Sequence, residues 1–320
     1  MPTEHLSITP MVSRIPNAAA HKLTRYEDAP ETVMEARKQE LYDLIVSILR
    51  CHPMLCYFQG YHDIVQVMML VLGRQQSFEA VEILSLGRIR DYMLRSLTPA
   101  LRHLQLIPAI LQQADGELAT HLSVSNPNYA LPSALTLYAH QIQEYSNIVR
   151  LFDFLLAHEP VINVYLFAAI ILSRREALLE IPDDDPDILF FTLQKLPQPL
   201  NLEPLIAETL QLFKHHPPER LPDSVWQRFS GNSVLKTSRD IRHPQSLNLA
   251  EETFRRQSQE LKWEELKQKA AITFMKHKRP IFSTATALMI GLTSIWLRKS
   301  GNDKLLLSMI LSGIGALRNL

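Results

Sequence analysis

The chain has 320 residues with 33 basic and 33 acidic side chains, so its formal net charge is zero with histidines neutral. That balance argues against nucleic acid as a partner, because a nucleic-acid-binding surface carries a basic excess. An apolar share of 46% argues against wholesale disorder. Nine glycines against twenty prolines, with only two cysteines (Cys51 and Cys56), point away from a glycine-rich phosphate loop and from a disulfide scaffold, and toward a reducing, cytosolic setting.

Residues 1–27 show neither a 3.6 nor a 2.0 period and lack the charged start and apolar core of a signal peptide, so they read as a flexible arm. A helix is expected from Asp28, with Pro30 in its first turn and Leu41, Leu44, Ile45, Ile48 and Leu49 on one face, until Pro53 stops it. Tyr61 to Leu72 is apolar almost all round after Asp63, the pattern of a helix buried on every side. Thr98-Pro99 starts a further helix that Pro108 should kink or split. Pro132 opens another, Ser146 is placed to cap NIVRLFDFLLAH, and Pro160 leads into VINVYLFAAIILSRREALLE. Almost no window alternates between hairpin turns. The stretch 28–215 is therefore expected to be an all-α, multi-helix domain.

Residues 216–280 read as a proline-rich, polar linker to about residue 250 followed by a charged helix. Beyond the basic group Lys276, Lys278 and Arg279 lies an uncharged run, 281–297, closed by Arg298-Lys299. Seventeen helical residues cover about 25 Å, near the lower limit for a bilayer core of about 30 Å, and Trp296 sits where an interfacial aromatic belongs. The run is expected to be a C-terminal transmembrane anchor rather than a buried helix. The tail 298–320 holds a second, shorter apolar run, Leu305 to Leu317, and the sequence leaves one span or a hairpin open.

The segment from His52 to Ile64, HPMLCYFQGYHDI, joins two expected helices. Gly60 permits an unusual φ, and Asp63 suits the positive N-terminal end of the second helix. Gln59 is then held on a short connection, where its amide can donate and accept and so orient a water molecule. On spacing alone, a turn glutamine bonded to backbone fits equally well. The motif Tyr57-x-Gln59-Gly60-x-x-Asp63-Ile64 resembles the glutamine motif of the TBC family, the all-helical GTPase-activating proteins for Rab GTPases. The wording HPMLCYFQGYHDIV, the stretches 150–160 and 165–169 and the C-terminal apolar run are similar to the branch anchored in the endoplasmic reticulum.

That resemblance implies a Rab partner of vesicle traffic, a cytosolic domain held on the endoplasmic reticulum membrane, and no cofactor of the chain's own, GTP and magnesium belonging to the Rab. It also implies a mechanism with two fingers. A GAP arginine offsets the charge that builds on the phosphate oxygens, worth about 10³ to 10⁵ in rate, or roughly 4 to 7 kcal/mol of barrier. A glutamine orients the attacking water, and Gln59 matches that residue, supported by Tyr57, Gly60 and Asp63. The arginine belongs to an Ile-x-x-Asp-x-x-Arg motif upstream of the glutamine, yet neither Arg14 nor Arg25 has an aspartate three residues before it. Two expectations follow: a chain short of its arginine-bearing helix, or a catalytically weak Rab-binding scaffold. An all-α membrane adaptor without a GTPase partner is the third reading.

Other clusters carry less chemistry. Cys51, His52, Cys56 and His62 offer soft ligands but not a usual zinc spacing, and core packing is the simpler reading. Asp183 to Asp185, between prolines, reads as a solvated loop and helix cap rather than a hard-metal site. Arg150 and Asp153 have i, i+3 spacing and are expected to pair. No metal is expected, and no serine or cysteine has the companions of a nucleophile.

Overall fold

The computed structural model describes residues 31–182 and 184–299. Those residues form helices α1 (Glu31–Cys51), α2 (Tyr61–Gly87), α3 (Thr98–Leu104), α4 (Leu106–Ala114), α5 (Gly116–His121), α6 (Leu131–Leu135) and α7 (Tyr145–Leu156). They continue with α8 (Ile162–Leu172), α9 (Arg175–Leu179), α10 (Pro186–Gln194), α11 (Leu202–His215), α12 (Val234–Thr237) and α13 (Leu247–Lys299). Short 3-10 turns join several of them, and no strand occurs among the described residues.

The local signals explain these elements. The buried side chains of α1 are Leu41, Leu44, Ile45, Ile48 and Leu49, the spacing of a single apolar stripe, and that stripe packs on α2. Tyr61 to Met69 of α2 is buried almost continuously. The helical backbone breaks at Gly73, whose φ of 74° an L side chain rarely adopts, and resumes to Gly87. Pro108 splits its segment as expected: α4 starts two residues before it, so the missing N–H falls in a first turn whose donors lack helical acceptors anyway. The central helix is α8, with Ile162 to Ile171 all buried, packed between α11 and α4.

Ser146 is not the cap expected of it. Helix α7 begins one residue earlier, with Glu144 at the cap position, and the Ser146 hydroxyl and Asn147 amide both donate to the Glu144 carboxylate. Arg150 likewise ignores Asp153 and forms a two-point pair with Glu203 of α11, at 2.7 and 3.0 Å. Asp185 does cap a helix, accepting from the Ile188 amide at the start of α10.

Two compact units divide the chain, the first reaching Ser258 and the second beginning at Gln259. The stretch 216–250, expected as a linker, is part of the first unit. It buries Leu221, Val225, Trp226, Phe229, Val234 and Leu235, and Ala250 and Phe254 of α13 are buried after it. Its polar side chains hold it in place. Asp91 is fully buried and accepts from the His103 ring, the Ser233 hydroxyl and the Val234 amide. Arg90, also fully buried, donates to the Asn232 carbonyl and the Thr237 hydroxyl. Burial works against the Asp91 charge, but the bonds from His103 and Ser233 and the Arg90 charge outweigh it, so the carboxyl titrates below the usual range.

In the second unit, α13 continues with Trp263, Leu266 and Ile272 exposed. The run 281–297, expected as a membrane span, is helical as the last part of α13. Among the described residues no helix is long and apolar enough to cross a membrane. The expected arm 1–27, the run Leu305 to Leu317 and Asp183 lie outside the described residues.

Candidate functional site

The connection between α1 and α2 is short and anchored at both ends. The Leu55 amide donates to the His52 carbonyl, and the Cys56 amide donates 2.8 Å to the carbonyl of Met93. Leu55 and Phe58 are buried, Phe58 lying against the rings of Tyr61 and Tyr92. Burial pushes the Cys56 thiol up, opposed by the charge of Arg95.

From Tyr57 to Val65 only Gln59 is exposed. Its side chain makes no hydrogen bond among the described residues. The bland reading of this residue, an amide spent on neighbouring backbone, is therefore not what the structure shows.

Gly60 follows with φ of 105° and ψ of −12°, a left-handed conformation, and it forms the N-terminal cap position of α2. A methyl group at this position would come within 2.5 Å of the Thr136 methyl carbon. The turn is therefore pressed against the segment 131–142, which comprises α6 and the loop after it. Thr136 is buried and its hydroxyl donates 2.8 Å to the Pro132 carbonyl.

That segment bends sharply. Leu137 and Tyr138 adopt φ of 50° and 66°, a region worth about 1–3 kcal/mol of strain for each non-glycine residue. Core bonds hold it there: the Tyr138 amide donates to the Ser133 carbonyl, the Tyr138 hydroxyl donates 2.9 Å to the Asn163 carbonyl, and the Asn163 side-chain amide donates to the Ala134 carbonyl. The bend carries His140 back to the start of α2, where its Nδ1 lies 3.0 Å from Asp63 Oδ2.

Asp63 is the hub of the polar groups. It is buried, its amide donates to the Gly60 carbonyl, and its Oδ1 lies 3.5 Å from His62 Nε2. The other nitrogen of His62, Nδ1, lies 2.8 Å from the Tyr57 hydroxyl, with the two rings stacked. One consistent proton arrangement satisfies all four groups: Tyr57 O–H to His62 Nδ1, His62 Nε2–H to Asp63, and His140 Nδ1–H to Asp63. Burial and then the Asp63 charge push the Tyr57 phenol well above its ordinary value, which keeps it a donor. Tyr57, Gly60 and Asp63 thus stand around Gln59. Thr136 and His140 were not legible in the motif.

The remaining sequence candidates take separate partners. Cys51 is exposed, and His52 is buried with Glu82 and Glu251 on its two ring nitrogens at 2.6 and 2.8 Å. Among the described residues no group of three or more histidine, cysteine, aspartate or glutamate side chains could hold a metal ion. Arg239 pairs with Glu159 and Glu219 and lies over the Trp226 ring.

Comparison with known proteins converges on one family. Residues 24–179 match the family described as the Rab-GTPase-TBC domain. The chain is 34% identical to TBC1 domain family member 20 of Bos taurus over 60% of this chain and 48% of that protein. It is 32% identical to the Homo sapiens protein of the same name, over 66% of this chain and 53% of that one. The identity is also 32% to GTPase-activating protein gyp10 of Schizosaccharomyces pombe, over 65% and 57%. The chain thus spans about half the length of the curated relatives it matches. The absence of strands among the described residues, the match over residues 24–179 and these relatives together support a TBC Rab-GAP domain in this chain.

Proposed function

We propose that this chain is a GTPase-activating protein for a Rab GTPase of vesicle traffic, and that it presents the Gln59 amide to the Rab-bound GTP. The carrying observation is the contrast at the turn: everything from Tyr57 to Val65 is at least partly buried except Gln59, which has no side-chain bond among the described residues. An amide held on a fixed backbone can accept a hydrogen bond from the attacking water and donate one to a phosphate oxygen at once. Its worth lies in position, since a misplacement of about 1 Å costs on the order of 10²-fold in such a step.

A second reading is favoured by one observation. No Asp-x-x-Arg sequence precedes Gln59 in this chain. A TBC domain working without a GAP arginine would forgo about 10³ to 10⁵ of the rate gain and serve as a Rab-binding scaffold. For the C-terminus we propose a membrane anchor over 281–297 on the endoplasmic reticulum. The basic residues Lys276, Lys278 and Arg279 would face the cytosol, and the support is this sequence pattern alone. If Leu288→Arg leaves the full chain in the carbonate-resistant membrane fraction, the anchor is misplaced.

The test of the function is single-turnover GTP hydrolysis by a panel of Rab GTPases, with the full chain in detergent micelles, set beside Gln59→Ala. Acceleration by the wild type that falls about 10²-fold or more in Gln59→Ala supports the activator. Binding of a GTP-loaded Rab without acceleration favours the scaffold. Failure to bind any Rab overturns both.

A further inference from the structure

We propose that His140 is a positioning residue for Gln59, acting through the Asp63 carboxylate, and this rests on the reading of Gln59 given above. Gln59 has no tether of its own, so its place is set by the backbone that follows it. That backbone is pinned from two directions. Below, Gly60 sits against the Thr136 methyl. Behind, the Asp63 amide bonds the Gly60 carbonyl at 3.1 Å while its carboxylate is held between His62 and His140.

The two imidazoles differ in how they are supported. His62 lies on the same helix as Asp63, is buried, and has its other nitrogen taken by Tyr57, so it moves with the turn it would hold. His140 comes from 77 residues away, on the bend that Leu137 and Tyr138 maintain against backbone strain. It is the contact that ties the Asp63 carboxylate to a second element. Its side chain is 47% exposed, against 4% for Asp63, so it stands at the rim of the motif, near where a docked partner would meet Gln59. Strain of this kind persists where the surroundings over-determine the conformation. Here it places Thr136 under Gly60 and His140 beside Asp63 within five residues of chain.

The prediction separates position from binding. In the full chain, His140→Ala should lower kcat for Rab-stimulated hydrolysis about tenfold, the lower range for one bond to a charged group, with KM for the GTP-loaded Rab unchanged. His140→Asn, whose amide N–H can replace the Nδ1 donor, should restore it. Hydrogen exchange gives a readout that needs no activity: amides of 58–61 should exchange about tenfold faster in His140→Ala and as in wild type in His140→Asn, with any fall in global stability no larger than that same tenfold. Unchanged exchange in His140→Ala, or an asparagine variant as impaired as the alanine one, overturns the proposal. A wild-type chain that stimulates no Rab sinks the activator reading alone, and the exchange comparison still decides the role of His140.

Discussion

Gly60→Ala tests the geometry of the turn most directly. Two costs add. An alanine at φ of 105° leaves the regions open to L residues, at about 1–2 kcal/mol. Its methyl would also sit 2.5 Å from the Thr136 methyl, well inside contact distance. Thr136 cannot swing away cheaply, because it is β-branched, 4% exposed, and fixed by its bond to the Pro132 carbonyl. Overpacking of this kind costs about 1–3 kcal/mol, so the variant should lose roughly 3 kcal/mol in urea unfolding of the first unit. Thr136→Ser removes the offending methyl and keeps the hydroxyl. In that background the penalty for Gly60→Ala should shrink to about 1–2 kcal/mol, the backbone share alone. An equal penalty in both backgrounds would show that the clash is not what fixes the turn. A loss under about 0.5 kcal/mol in the single variant would refute the left-handed geometry itself.

Three further outcomes follow from the core that supports the site. Asp91→Asn keeps the shape but removes a buried charge among three donors, and should cost about 3 kcal/mol and open residues 230–245 to limited proteolysis. Because the folded carboxyl titrates below its unfolded value, its contribution is present above about pH 4 and is lost as pH falls through the folded value; acid unfolding should therefore be less steep in Asp91→Asn. Tyr138→Phe takes the donor from the Asn163 carbonyl and should lower stability by about 1 kcal/mol, read from the urea midpoint. His52→Ala leaves Glu82 and Glu251 facing each other without the ring between them, and the destabilisation, about 3 kcal/mol, should ease when Glu251→Gln is added.

What was legible in the sequence depended on how local the cause was. The apolar stripe of α1, the split before Pro108 and the buried start of α2 each follow from residues within one or two turns of one another. The stretch 216–250 failed as a linker because proline and polar content describes backbone stiffness and solvation, not where Trp226 and Phe229 are buried. Arg150 failed for the same reason, since the i, i+3 rule sees Asp153 but not Glu203, 53 residues downstream. Asp91, hidden in an ordinary RDYM run, gave no sign that it binds residues 142 and 143 positions away.

The site divides along the same line. Tyr57, Gln59, Gly60 and Asp63 were visible because they are nearly consecutive and glycine announces the left-handed turn. Leu137 and Tyr138 take positive φ with no glycine or asparagine between Ser133 and Gln141 to announce it. Local bonds such as that from the Tyr138 amide to the Ser133 carbonyl are joined there by the tertiary bonds of Tyr138 and Asn163, and a sequence does not display bonds between positions 25 residues apart. The cost of the bend also constrains its interpretation. A conformation that disfavours itself by about 1–3 kcal/mol at each of two residues needs the core to hold it, so the turn under Gln59 is fixed by the folded interior before any partner arrives. On the proposed reading, Gln59 would meet a docked nucleotide without first ordering its own backbone, the condition under which a single exposed amide can contribute to a rate.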